Sequence, residues 1–201
     1  MRIGECLQFG WDTFKRYTAA FVFTGLALFV AGAIAETVAG VAARRLGPFL
    51  VMLVHGLFWG GWINVSRKAA RGDEPTLRDA FAPFTDRPGD YVLVGLAISA
   101  GVLLCGVGAL LTYFLFLFAP LCVAEGADWK QALTRSKDLM LANVGESVVF
   151  FLVLAAVNVA GAIALGIGLL VSVPVTTVAV VKAYELAGKP APLPPASSAP
   201  I

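Results

Sequence analysis

Residues 91–124 read YVLVGLAISAGVLLCGVGALLTYFLFLFAPLCVA, 34 residues without one charged side chain. A single helix of that length would measure about 50 Å, whereas the hydrocarbon core of a bilayer is about 30 Å thick. The stretch must therefore fold back on itself, and Gly106-Val107-Gly108 is the expected break. Its apolar residues run continuously rather than alternating. Backbone in hydrocarbon must be helical or closed into a barrel, and barrel strands alternate, so continuity selects helices. The fold class expected from this block is all-α and integral to the membrane, built of hairpins.

The flanking sequence repeats the pattern. A first helix is expected from about Ala19 to Ala42, a turn at Arg44, Arg45, Gly47 and Pro48, and a second helix from about Phe49 to Val65. The last apolar block, Val144 to Ala187, is again too long for one span and is expected to turn among Gly161, Gly166 and Gly168. Pro174 in its second half is tolerable as a kink, because neighbouring helices can satisfy the freed carbonyl. The sum is about six transmembrane helices in three hairpins. Composition agrees: at 59% hydrophobic and 14% charged, with mean hydropathy +0.83, the chain has more apolar surface than a soluble fold of 201 residues covers. The run Tyr17 to Ala43 exceeds the apolar region of a signal peptide, about 7 to 15 residues, and reads as an anchor.

Three polar stretches precede the hairpins, each with a helical pattern. In the first, Ile3, Leu7, Trp11, Phe14 and Thr18 recur every three or four residues, opposite Arg2, Gln8, Asp12, Lys15 and Arg16. In the second, Thr76 and Asp79 form a capping box ahead of Leu77 to Phe81, with Pro83 as the stop. In the third, Asp128 caps a helix with Gln131 three residues on, and Trp129, Ala132, Leu133, Ser136 and Met140 share a face. All three are expected to be short amphipathic helices lying in the interface plane. Similar phrases end the three units: Arg71-Gly72-Asp73, Glu125-Gly126-Ala127 and Ala187-Gly188-Lys189. The hexapeptide Val-Ala-Gly-Ala-Ile-Ala stands both at Val30–Ala35 and at Val159–Ala164. A parallel internal repeat explains this, and so does chance in a chain so rich in Ala, Val and Gly. The domain expected is one transmembrane body over residues 1–188, in units 1–72, 73–126 and 127–188. A Pro-rich disordered cytoplasmic tail, 189–201, follows; its P-x-x-P at Pro192 and Pro195 is what so much proline produces by accident.

Lys and Arg counts near helix ends set orientation. Thirteen fall on the side of both termini and the two polar loops, against Arg44 and Arg45 alone on the other, so both termini are expected in the cytoplasm. A net charge of +2 with acids interspersed argues against nucleic acid. Loop 66–90 is balanced, with Arg67, Lys68, Arg71, Arg78 and Arg87 against Asp73, Glu74, Asp79, Asp86 and Asp90, and reads as a salt-bridged surface. Loops 66–90 and 125–142 are the places for a protein partner, and membrane lipid is the other. Cys6, Cys105 and Cys122 have no paired spacing and read as reduced core residues.

Ionisable groups at membrane depth are the first candidates for function. Glu36 lies about two turns from the outer end of the first helix, on a strip with Gly32, Ala33, Ala39 and Gly40 that would let another helix approach, so it is expected to face the bundle. His55 falls at similar depth on the second helix, and a Glu36–His55 pair could relay a proton. Against this, Glu36 can be protonated or paired with Arg44 or Arg45, and His55 bonded to a carbonyl. Asn158 could face the same cavity as Glu36. Asn64, Ser99, Thr112, Tyr113, Ser172, Thr176 and Thr177 suit hydrogen bonding between helices, and Gly56 with Gly60 suits close packing. One histidine and scattered cysteines make no zinc or haem site, and no phosphate-binding loop, nucleophile elbow or zinc-protease motif is present. No catalytic residue, metal or cofactor is expected.

Gly10-Trp11-Asp12-Thr13-Phe14-Lys15, Arg71-Gly72-Asp73-Glu74-Pro75-Thr76 with Asp79-Ala80-Phe81, and Ala132-Leu133-Thr134-Arg135-Ser136 after Glu125-Gly126, together with Pro174 to Tyr184, carry a resemblance. They resemble the polytopic membrane-domain family attached to some bacterial glycerophosphodiester phosphodiesterases and its stand-alone relatives. The resemblance implies a six-helix bacterial inner-membrane protein without the phosphodiesterase domain, and it carries no active site across. The function expected is a non-enzymatic membrane module, an assembly or regulatory partner of another membrane or cytoplasmic protein. The alternative is a transporter or channel for a small polar or lipid-like solute lined by Glu36, His55 and Asn158; an intramembrane enzyme is third.

Overall fold

The computed structural model of the protein describes residues 2–42, 47–101, 107–163 and 168–188. These are helical, with no strand among them: α1 (Ile3–Arg16), α2 (Thr18–Ala42), α3 (Gly47–Ala70), α4 (Leu77–Thr85), α5 (Pro88–Ala100), α6 (Val107–Leu115), α7 (Ala119–Ala124), α8 (Trp129–Ala142), α9 (Val144–Ile163) and α10 (Leu169–Leu186). Three are long and apolar enough to cross a membrane: α2 over Thr18–Val38, α9 and α10. α3 is 24 residues long, roughly 36 Å. Large apolar side chains stand exposed along α2 and α9, among them Phe23 at 74% and Ile163 at 78%. An apolar solvent accounts for such continuous exposure where water does not.

The decisive block does fold back. α5 packs against α6, and the Thr112 hydroxyl donates to the Ile98 carbonyl at 2.8 Å. A Cβ on Gly101 would stand 2.5 Å from the Gly108 carbonyl oxygen, so the two backbones cross where glycine permits it. Residues 102–106, with Gly106 of the expected break, lie outside the described residues, and α6 starts at Val107. The last block turns as expected between Gly161 and Gly168, where a Cβ on Gly168 would meet the Gly161 oxygen at 2.4 Å; Gly166 is outside the described residues. Pro174 lies inside α10 without ending it. Residues 189–201, read as a tail, are also outside.

α3 is the hub, packing against α2, α4, α5, α7 and α10. Its Gly56 crosses α5 so closely that a Cβ there would stand 2.0 Å from the Tyr91 oxygen and 2.8 Å from the Gly95 Cα. Gly56 and Gly60 thus serve packing within this chain. Each short helix lies against the helix that ends the preceding stretch: α4 on α3, α8 on α7, and α1 on α10, so the first helix meets the last. The phrases that close α3, α7 and α10 share one backbone device. Gly72, Gly126 and Gly188 have φ of +89°, +101° and +89°. After Gly72 the Asp73 N–H reaches back to the Lys68 oxygen, and after Gly126 the Ala127 N–H reaches back to the Cys122 oxygen. This is the helix-terminating turn for which a left-handed glycine is required.

Two local expectations are corrected. Pro83 does not stop α4, which runs on to Thr85 with Pro83 buried inside it. Only one helical N–H is lost there, and the ring fills the space beside Gly60, whose added Cβ would lie 3.2 Å from it. The buried face of α1 is rotated from the one read: Cys6, Gly10, Thr13 and Phe14 are buried, while Trp11 is 46% exposed. Gly10 decides the rotation, since its missing side chain lets α1 touch the α10 backbone; a Cβ would stand 2.4 Å from the Val175 oxygen. α8 buries Ala132, Ser136 and Met140, as its pattern predicts, and Asp128 caps it by accepting the Gln131 N–H at 2.8 Å.

Candidate functional site

Three cavities are lined by polar residues that the sequence singles out, Glu36, His55, Asn64 and Asn158 among them. The first lies between α2 and α3, about 260 Å³, lined by Leu28, Phe29, Gly32, Ala33, Glu36, Val54, His55 and Phe58. The structure thus brings Glu36 and His55 to one cavity. It does not pack Glu36 into the bundle: the residue is exposed, and Gly32, a turn away, has nothing within 4 Å of an added Cβ. A strip of small residues permits an approach, and here the partner helix stops short of it. Arg44 and Arg45, the alternative partners for Glu36, lie outside the described residues.

Asn158 is elsewhere. Its Nδ2 donates to the Leu154 carbonyl at 3.0 Å and to the Thr176 hydroxyl at 3.1 Å, tying α9 to α10. It borders a second cavity of about 340 Å³ whose walls are chiefly apolar, with Trp59, Tyr113 and Phe151 among them. The expectation that Asn158 shares a cavity with Glu36 is therefore corrected. Asn158 lies on the face of α9 that meets α10, where it makes an interhelical hydrogen bond of the kind worth about 0.6 kcal/mol. Thr112 joins α5 and α6 in the same way, and Thr177 meets Ser66, which the sequence reading passed over, at 2.7 Å in full burial.

The third cavity, about 420 Å³, lies where α3, α4, α5 and α7 meet at the end carrying the glycine caps. α3 supplies Asn64, Arg67 and Lys68, and Arg71 follows its end at Ala70; α4 supplies Asp79; Arg87 caps α5 and Tyr91 lies in its first turn. The Arg67 guanidinium donates to the Ala124 carbonyl of α7. Arg87 donates to the carbonyls of Gly126 at 2.8 Å and Ala127 at 3.1 Å. Asp90 accepts the Trp129 N–H at 3.1 Å, so loops 66–90 and 125–142 brace each other. Lys68 pairs with Asp79 at 2.9 Å. Burial alone would raise the Asp79 carboxyl, but the Thr76 hydroxyl and N–H and the Lys68 ammonium outweigh it and hold it below the usual carboxylate range. α10 joins this end through Tyr184, whose hydroxyl donates to Glu125 at 2.9 Å.

The sequence missed this site because equal numbers of acids and bases in loop 66–90 look self-neutralising. Placement is unequal. Among the described residues Lys68–Asp79 and Arg87–Asp90 are the ion pairs inside that loop, while Arg67, Arg71 and Arg78 have no carboxylate within 4.0 Å. The available signal was Arg67 on the last turns of an apolar helix, a position that half-buries a guanidinium. Cys6 and Cys122 are free and buried, as expected; Cys105 is outside the described residues. No family model, no curated protein and no solved structure matches the chain.

Proposed function

We propose that the chain is a non-enzymatic, six-span module of the bacterial inner membrane with both termini in the cytoplasm, acting as an assembly or regulatory partner of another protein. The observation that carries the reading is the built polar end. Two loops far apart in sequence are held together there by Arg87 on the Gly126 and Ala127 carbonyls and by Asp90 on Trp129. Rigid, charged loops over an apolar bundle are what a recognition surface requires, because little ordering entropy remains to be lost on binding. The sidedness rests on the charge asymmetry of the loops. Three crossings beyond the three long helices would come from α3, which pairs with α2, and from the two arms of the α5–α7 hairpin, which completes three hairpins.

The cyclic packing of α4 on α3, α8 on α7 and α1 on α10, with a left-handed glycine closing each unit, supports descent from a parallel triplicated unit. It also supports the resemblance to the membrane region of the phosphodiesterase family, whose phrases fall on these helices and caps. The test is photo-crosslinking in intact membranes. A photoreactive residue at Leu77 or Lys130, on the polar end, should give one discrete protein adduct, and at Phe29 or Leu152, on exposed apolar faces, lipid adducts only. The partner reading fails if all four positions give lipid alone.

A second reading, transport of a small polar or lipid-like solute, is favoured by the cavity that Glu36 and His55 share. Glu36→Gln and His55→Ala, each assayed for proton flux in liposomes, should then abolish it. Wild-type behaviour in both variants removes that reading and leaves the partner reading untouched.

A further inference from the structure

We infer that the cavity between α3, α4, α5 and α7 is a binding site for a phosphate group, with the Arg67 and Arg71 guanidinia as its principal contacts. Charge placement carries the argument. Of the four cations on its walls, Lys68 is neutralised by Asp79 at 2.9 Å, and Arg87 has Asp90 at 3.8 Å. Arg67 is half-buried and spends a donor on the Ala124 carbonyl, which is uncharged. Arg71, in the turn that follows α3, adds a second cation with no carboxylate partner among the described residues. The remaining acids, Asp73 and Asp86, are exposed, and neither pairs with a base among the described residues, so water screens their charge while the Arg67 guanidinium lies deeper in the wall.

A guanidinium has five N–H donors in a planar fork. Arg67 gives one donor to Ala124 and keeps others to offer a ligand, and a tetrahedral phosphate oxyanion, monoester or diester, between it and Arg71 would accept them and relieve the repulsion between the two cations. Asn64 and Tyr91 add polar groups on the same walls. At about 420 Å³ the cavity exceeds what a bare phosphate fills and falls within the size of small-ligand sites. The group can arrive on an anionic phospholipid headgroup, since the cavity opens at the end of an apolar bundle where headgroups lie, or on a soluble phosphate ester. The site stands apart from the partner reading, because binding is measured on the purified chain alone.

The test uses the full chain in phosphatidylcholine nanodiscs with and without phosphatidylglycerol, and separately glycerol 3-phosphate, with thermal stabilisation and native mass spectrometry as readouts. Wild type should be stabilised by phosphatidylglycerol, by glycerol 3-phosphate, or by both. Stabilisation by the lipid alone identifies a headgroup site, and by the ester alone a soluble-ligand site. Arg71→Gln, which changes an exposed side chain with no ion-pair partner among the described residues, should weaken binding about tenfold, the worth of one charge-assisted hydrogen bond. Arg67→Gln should weaken it further wherever it folds. Arg78→Gln removes the same charge from α4 outside the cavity and should change binding less than twofold. The site is refuted if neither probe stabilises wild type, or if Arg78→Gln and Arg71→Gln weaken binding equally, which would mean a diffuse surface charge.

Discussion

At the scale of single residues, glycine does most to determine how closely these helices meet, and it does so selectively. Gly56 lets α3 and α5 cross with backbones in contact, and even an alanine there would collide with the Tyr91 carbonyl. Gly32, on the neighbouring hairpin arm, has open space around it. Gly56→Ala should thus lower stability by about 1–3 kcal/mol, the usual cost of overpacking, and Gly32→Ala should cost nothing. Thermal unfolding in one detergent, followed by circular dichroism, compares the two; equal midpoints would mean that α3 and α5 do not cross as described. The spacing of Gly56 and Gly60 made the packing face legible in the sequence. Gly95, its counterpart on α5, was not legible, because a lone glycine in an apolar run has no spacing to mark it. The same limit explains Glu36: small neighbours state which approach is permitted and not which approach occurs.

At the scale of elements, the capped ends were the most legible part and the faces of helices the least. Thr76 with Asp79 and Asp128 with Gln131 announce helix starts through local hydrogen bonds that depend on a few adjacent residues. The face that α1 buries depends instead on what α10 presents, and Gly10 against Val175 turned it away from Trp11. The α4 cap also yields a pH dependence. Asp79 is held below its unfolded value, so its contribution is fully present above about pH 4, the unfolded range, and is lost as pH falls through the lower folded value. The group is partly exposed, with 25% of its side chain accessible, so the contribution after solvent screening is below about 1 kcal/mol. Wild type should unfold at a higher temperature than Asp79→Asn at neutral pH, and the gap should close in acid. A gap that persists unchanged at pH 3 would assign the effect to something other than ionised Asp79.

At the scale of the whole molecule, hairpin order was readable from block lengths because helix rise and bilayer thickness are fixed quantities. The cavities were not readable, since each needs residues from helices whose mutual rotation the sequence leaves open. What block length alone cannot decide is the depth of the middle hairpin. α5, at 13 residues, is roughly 20 Å long, short of a full crossing, so the six-span reading requires the residues between α5 and α6 to reach the far surface. The chain has its own reporter there in Cys105. Because Cys6 and Cys122 are buried, replacing both by alanine leaves Cys105 as the single thiol at modest cost to the core. In right-side-out spheroplasts a membrane-impermeant maleimide should label it, more slowly than a cysteine placed at Arg45 but without detergent. A single cysteine placed at Arg78 should label only after permeabilisation, as cytoplasmic sidedness requires. If Cys105 reacts only in detergent, the middle hairpin is re-entrant and the spans number four, while a reactive Arg78 position in intact spheroplasts would invert the topology.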